Sequence, residues 1–341
     1  MSSPLVSVLT PLDNGAKYLS ECIESVLAQT YTNWEYTIVN NCSTDDSLGI
    51  AQNYAARAPR IRIVTNDRYL SVMENYNHTV LQMSPQSKYC KVIFAEDWIY
   101  PTCIEEMVRA AELHPTVGLV GGYTTDGRAV LWQAPSSATN PVLGRDVCRS
   151  ILLGGPYVLG SMTSLLFRSD LVRNTVPFLD EKNPHREVAA CFEVLRESDY
   201  AYIRQVLSFS RPRDGSAERF AKDFRTCAAG SVVVCLKYGP MFLSAAEYQR
   251  RWKKVRWDYH RILAENLLWR SRKQFWKFHK DTLAAFGGKI DRRLLTTCAI
   301  LKVISHVSRP LHSMRDAWRW CRARAIGYSR LVNRHPPLGT A

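Results

Sequence analysis

The opening of the chain alternates short apolar runs with longer segments whose apolar residues recur at a helical spacing. Val6 to Pro11 reads as a first strand, closed by the turn residues Asp13, Asn14 and Gly15. Tyr18, Leu19, Cys22, Ile23, Val26 and Leu27 then return every three to four positions with Glu21 and Glu24 between them, which predicts an amphipathic helix. Trp34 to Val39 predicts a second strand. It runs into the short polar cluster Asn40 to Asp46, where Ser43 or Thr44 can cap the next helix. Arg62 to Thr65 predicts a third strand, Ser71 to Met83 a third helix and Lys91 to Ala95 a fourth strand. Strands alternating with helices at this spacing imply βαβ units and a mostly parallel sheet.

The fourth strand ends on two adjacent carboxylates, Glu96 and Asp97, within KVIFAEDWIYP. Ligands of open α/β sheets bind at the carboxyl ends of strands. Two neighbouring carboxylates repel unless a positive charge joins them, and a divalent cation carrying phosphate oxygens meets that need. The same pair can simply favour the start of a helix near Thr102, behind Pro101. Both readings stand at this point. Nucleotide loops of the glycine-rich kinds are excluded: the first strand-to-helix turn, TPLDNGAKYL, has one glycine, and no P-loop lysine motif occurs.

At 341 residues with 46% hydrophobic content the chain is globular, with one domain of about 200–250 residues and an appendage. No apolar run reaches the roughly 18 residues of a spanning helix, and the N-terminus enters a strand directly, so neither a transmembrane helix nor a signal peptide is expected. The 10 cysteines are scattered without metal-ligand spacing, which fits reduced thiols and a cytoplasmic location. Charge divides the chain. Residues 245–341 hold 22 Lys and Arg against 6 Asp and Glu, a net +16 in a chain of net +14, and six of its 9 tryptophans. Aromatic and basic residues interleave at Tyr248 to Leu263, at Trp269 to His279 and at Trp318 to Tyr328. That mixture on helices suits an anionic membrane surface on the inner face of the cytoplasmic membrane, bound peripherally. It equally suits helices packed on the first domain with solvated basic faces; nucleic acid would use the same charge, but no nucleic-acid motif supports it.

Several ordered segments together carry a resemblance. PLVSVLTPLDNGAKYLSECIESVLAQTYTNWEYTIVNN resembles the opening of the glycosyltransferase family 2 group, and NNCSTD resembles its second-strand loop. FAEDWIYP stands where that group has its DxDD metal motif. GSMTSLLFRSDLV resembles the acceptor-side segment, and HREVAACFEVLRESDYAYIRQVLSFSR the catalytic-base helix and following strand. The likeness spans Leu5 to Ser216. It implies an α/β, Rossmann-like GT-A fold in residues 1–216, with helices on both faces of a mostly parallel sheet, and a basic, mainly helical region in 217–341. It also implies an inverting, hexosyl-type transferase. Such an enzyme moves sugar from a nucleotide-sugar donor, a UDP-sugar first, to a saccharide or lipid-linked acceptor in bacterial surface polysaccharide or glycolipid assembly.

By position, the resemblance assigns Thr10, Pro11 and Asn41 to the nucleoside, Glu96 and Arg211 to the donor, Asp97 to a divalent cation (Mg²⁺ or Mn²⁺), and Glu187 to proton removal from the acceptor. Asp97 is thereby expected to supply charge at the site rather than support to the core. Three positions depart from the pattern: Asn41 stands for an aspartate, Phe94 for the first acid of the metal motif, and Ala189 for a second acid near Glu187. Asn41 is otherwise a turn residue, Glu187 a helix N-terminal charge, Arg211 a surface arginine, and Trp98 a core residue or a donor contact. A nucleotide-sugar-binding protein of weak activity, or an anionic-surface or nucleic-acid-binding module led by the basic tail, remains as an alternative.

Overall fold

The computed structural model describes residues 3–134, 140–212, 215–269 and 273–305. The first part alternates as the periodicity predicts: β1 (Val6–Leu12), α1 (Ala16–Leu27), β2 (Trp34–Asn40), α2 (Ser47–Arg57), β3 (Ile61–Thr65), α3 (Val72–Leu81) and β4 (Tyr89–Val92). A tight turn then leads to β5 (Trp98–Ile99), α4 (Cys103–Leu113), β6 (Val117–Thr125), β7 (Val130–Leu131) and α5 (Gly144–Leu153). A single helical turn, Met162–Ser164, precedes β8 (Leu165–Arg168), α6 (Ser169–Arg173), α7 (Arg186–Leu195) and β9 (Asp199–Phe209). The helices α8 (Ser216–Asp223), α9 (Thr226–Phe242), α10 (Ala245–Trp269) and α11 (Lys273–Ala285) follow, and the backbone is helical again over 292–305.

The sheet runs β3-β2-β1-β4-β8-β6-β9-β5, with β7 beside β6. The strands β3, β2, β1 and β4 are parallel, as expected. The second half is mixed: β8 runs antiparallel to both β4 and β6, β9 pairs parallel with β6, and β5 pairs antiparallel with β9. The sheet is thus parallel throughout the half built from βαβ units and mixed beyond it, where β8 enters between β4 and β6 antiparallel to both while β6 and β9 are parallel to each other.

Alternate residues of each strand enter opposite cores. Val6 and Val8 pack with the apolar stripe of α1 and with α4, whereas Leu9 packs on the other face with α3, α5 and α7. Val234, Tyr238 and Phe242 of α9 belong to that second core. The helical region therefore closes one face of the sheet. At the start of α3, Ser71 and Glu74 satisfy each other's backbone N–H in a capping box, which fixes the loop between β3 and α3.

Candidate active site

The carboxyl ends of β1, β2 and β4 lie side by side, and the loops leaving them form the site. Thr10 is fully enclosed: its hydroxyl donates to the Ile93 carbonyl at 2.9 Å and is hydrogen-bonded to the Tyr36 hydroxyl at 2.8 Å. Pro11 is buried beside it. Both residues tie β1 to its neighbours beneath the site, and the Thr10 side chain does not line it.

Asn41 is likewise inside. Its amide donates to the Leu70 carbonyl at 2.9 Å and to Asp13 at 3.4 Å, and its oxygen accepts from Leu70 N and from Asn66, each at 2.9 Å. An aspartate could not donate to Leu70 or Asp13, so the amide itself is what this loop requires. At the rim stand the partly buried Asp13 and the exposed Tyr69, whose hydroxyl donates to Asp13 at 3.0 Å.

The STD segment does not cap α2 from Ser43 or Thr44. Ser43 accepts from Asn14 N, Thr44 donates to the Asn14 side chain, and Asp45 accepts from Ala16 N and Ser47 N. The segment clamps the turn after β1, whose amides would otherwise lack acceptors. Although burial works against it, these hydrogen bonds hold the Asp45 carboxyl below its ordinary value.

The acidic pair splits by environment. Asp97 is 1% exposed; Oδ2 accepts from Thr163 Oγ1 at 2.7 Å and Ser210 Oγ at 3.5 Å, and Oδ1 from Arg211 N at 3.0 Å. Glu96 is only partly buried, and its carbonyl accepts from Arg211 Nε at 3.1 Å. Arg211 also pairs with Glu21 of α1 at 2.8 Å and lies 3.9 Å over the Tyr18 ring. Its guanidinium therefore links the end of β9 to α1 and to the acidic turn. The expectation that Asp97 serves charge rather than structure is corrected: three donors converge on it inside the fold. Of the two carboxylates, Glu96 is the less enclosed. Among the described residues no cluster of three or more His, Cys, Asp or Glu could hold a metal by itself.

Phe94 is buried and stacks on Tyr76 at 5.2 Å, so the position of the first acid is part of the core. Trp98 stacks on Phe209 at 5.1 Å, a packing role. Glu187 lies in the first turn of α7, partly buried. Burial raises the Tyr157 hydroxyl, and Cys191 and then Glu187 add to the shift, which puts the Glu187 charge near that ring. Ala189 is buried, and its carbonyl accepts from Tyr238 of α9 at 3.2 Å; a second acid there would face the core. The His185 ring lies so close to Gly230 of α9 that a Cβ there would stand 2.4 Å away. Glu96, Asp97 and Arg211 are thus in direct contact, Thr10 and Asn41 stand on adjacent strand ends, and Glu187 comes from a separate helix. Sequence reasoning missed Thr163, Ser210, Asp13 and Tyr69, which are ordinary loop residues until the fold converges them.

Residues 7–171 match the model of glycosyl transferase family 2. The chain is similar to glycosyltransferase GlyG of Streptococcus pneumoniae, 24% identical over 64% of this chain and 74% of that protein. It spans 23%, 43% and 58% of the lengths of three further curated relatives. Its fold is similar to that of S. aureus TarS 1–349 in complex with UDP-GlcNAc (TM-score 0.59, 14% identity, 85% of this chain and 82% of that one). It is also similar to the mannosyltransferase PcManGT of Pyrobaculum calidifontis in complex with GDP-Man and Mn²⁺ (TM-score 0.52, 13% identity, 96% and 87%).

Proposed function

We propose that this chain, which belongs to glycosyl transferase family 2 through its residues 7–171, transfers a sugar from a nucleotide donor to an acceptor hydroxyl with inversion. The observation that carries the reading is the turn at the carboxyl end of parallel β4, where the partly buried Glu96 sits on a base fixed by Asp97 and Arg211. TarS with UDP-GlcNAc and PcManGT with GDP-Man and Mn²⁺ support a nucleotide-sugar donor, with a UDP-sugar the first candidate. The acceptor in this reading is a saccharide or lipid-linked sugar of surface polysaccharide or glycolipid assembly.

In this reading Glu96 would hold the divalent cation, the donor's diphosphate supplying further oxygens. When bound, the cation neutralises charge that develops on the leaving diphosphate. Asp97 and Arg211 keep the Glu96 turn in place. Asp13 and Tyr69 meet the nucleoside at the rim, in place of the enclosed Asn41. Glu187 accepts the acceptor's proton, a general-base role that needs a carboxylate facing the sugar carbon opposite the leaving group. Residues 1–216 carry the chemistry; beyond them the sequence is basic, and its described residues are helical over α9, α10, α11 and 292–305.

That region has two faces. Val255, Tyr259 and Leu263 of α10 are buried against α9 and α11, and Tyr248 packs on Gly239 while stacking on Trp252. Arg250, Lys253, Lys254, Arg256 and Trp257 line an open groove of about 940 Å³ with Asp258 and Asp291, which pair with Lys254 and Arg256; its cations outnumber its acids, which suits anionic headgroups. No helix of the described residues is long and apolar enough to cross a membrane, and the stretch Trp318 to Tyr328 lies outside them.

A second reading, a nucleotide-sugar-binding protein of weak activity, draws on the burial of Asn41, Phe94 and Ala189, three positions that cannot reach a donor or acceptor. Calorimetry of UDP with and without Mn²⁺ tests both readings against a module led by the tail. Transfer or slow hydrolysis of nucleotide sugars then separates enzyme from binder.

A further inference from the structure

We propose that Lys91 is a positioning residue for the acidic turn, its buried amine splicing β4 to the Met162–Ser164 turn and so fixing Thr163, Asp97 and the base of Glu96. The reasoning begins where the sheet changes from parallel to antiparallel. The ladder between β4 and β8 covers only Tyr89 with Arg168 and Cys90 with Phe167. On its other side β4 stays paired with β1 through Val92, and Ile93 N continues to the Leu9 carbonyl. From Lys91 onward β4 therefore lacks a ladder partner towards β8, just before the carboxylates.

The Lys91 side chain takes over that connection. It is fully buried, and Nζ donates to the Thr163 carbonyl at 2.8 Å and the Leu165 carbonyl at 3.3 Å, with Met107 Sδ at 3.7 Å and the Cys103 thiol beside it. None of these partners is a carboxylate. An amine buried without a counter-charge is costly, and an apolar side chain would fill the same space. What only the amine provides is a grip on two carbonyls flanking the start of β8.

From Thr163 the linkage runs outward. Its hydroxyl accepts from Phe94 N at 3.2 Å and gives its single proton to Asp97 Oδ2 at 2.7 Å. Asp97 Oδ1 accepts from Arg211 N at 3.0 Å, and Arg211 Nε donates to the Glu96 carbonyl at 3.1 Å. Every member of this linkage is thus held by the one before it, and Lys91, beside the Phe94 N–H bond to the Thr163 hydroxyl, ties it to the parallel half of the sheet from within. Glu96 receives a fixed base although its own side chain is only partly buried.

The experiment uses full-length protein. In Lys91→Met, amide exchange at Phe94 and Arg211 should accelerate by about tenfold or more, as their acceptors lose their anchor, while the ladder between β2 and β3 exchanges as before. Mn²⁺-dependent UDP affinity should fall about tenfold, Thr163→Val should reproduce that loss, and Thr163→Ser should restore it. Because both act through one linkage, Lys91→Met combined with Thr163→Val should bind no more weakly than Thr163→Val alone. Unchanged exchange at Phe94 and Arg211, or additive losses, would overturn the proposal. Lys91→Gln is the second variant; loss of the fold in both Lys91 variants would make the residue a general support of the sheet and equally overturn it. The ligand arm rests on the nucleotide-sugar reading: if wild type binds no UDP with Mn²⁺, that reading falls while the exchange measurement still decides the role of Lys91.

Discussion

Glu96 and Asp97 are neighbours in sequence with different surroundings, the first partly buried and the second enclosed. Asp97→Ala strips acceptors from Thr163, Ser210 and the Arg211 N–H inside the fold. It should cost about 1–3 kcal/mol in urea unfolding, the penalty of stranding a buried donor. Glu96→Ala removes a partly exposed side chain, so stability should stay within roughly 0.5 kcal/mol while Mn²⁺-dependent UDP binding is lost. Equal stability losses in the two variants would show that the pair is one structural unit. Glu187→Gln keeps shape but cannot accept a proton, so turnover should drop by about 10²–10⁴ with UDP affinity preserved. Wild-type turnover in that variant would place the base elsewhere. At this scale the sequence showed which residue types meet but not which way each faces. Asn41 carries the point: its departure from aspartate is explained by the Leu70 backbone it holds, a contact between loops far apart in sequence.

Elements were legible to the extent that their periodicity was local. The parallel strands β1 to β4 and helices α1 and α3 follow from apolar runs and 3.6-residue spacing. The cap at Ser43 or Thr44 was misread because those side chains answer the turn after β1, a tertiary demand. The antiparallel β8 and the lysine within β4 carry no periodic signature; Lys91 looks like an interruption of an apolar strand until its carbonyl partners are seen. The packing of α9, α10 and α11 also contains a pH-sensitive group. His279 is fully buried among Phe275, Phe278 and Tyr259, and burial holds its imidazole down from 6.5 to about 4. A histidine with a depressed folded value binds protons more readily when unfolded, so its stabilisation is complete above 6.5 and is lost as pH falls towards about 4. Across that window wild type should lose up to roughly 3 kcal/mol relative to His279→Phe. Parallel pH dependence of the two proteins in thermal melts would show that the ring is not enclosed in solution.

The whole molecule joins a nearly neutral sheet domain to a basic helical region, and the two share a core through Val234, Tyr238 and Phe242. Removing α9 would therefore expose the sheet, so membrane affinity is better tested by charge than by truncation. Replacing Arg250, Lys253 and Lys254 with glutamine should reduce flotation with anionic liposomes at low salt, since each basic side chain near such a surface contributes about 1 kcal/mol. Neutral liposomes and high salt should abolish the difference. Unaltered flotation would make the groove a solvated face. The central claim, transfer from a nucleotide sugar at the end of β4, is tested most directly by the release of nucleoside diphosphate. Full-length protein incubated with a panel of UDP- and GDP-sugars and Mn²⁺ should liberate the diphosphate from at least one donor, and both chelation of the metal and Glu96→Ala should stop it. No release from any donor, together with no Mn²⁺-dependent binding of UDP or GDP, would contradict the account.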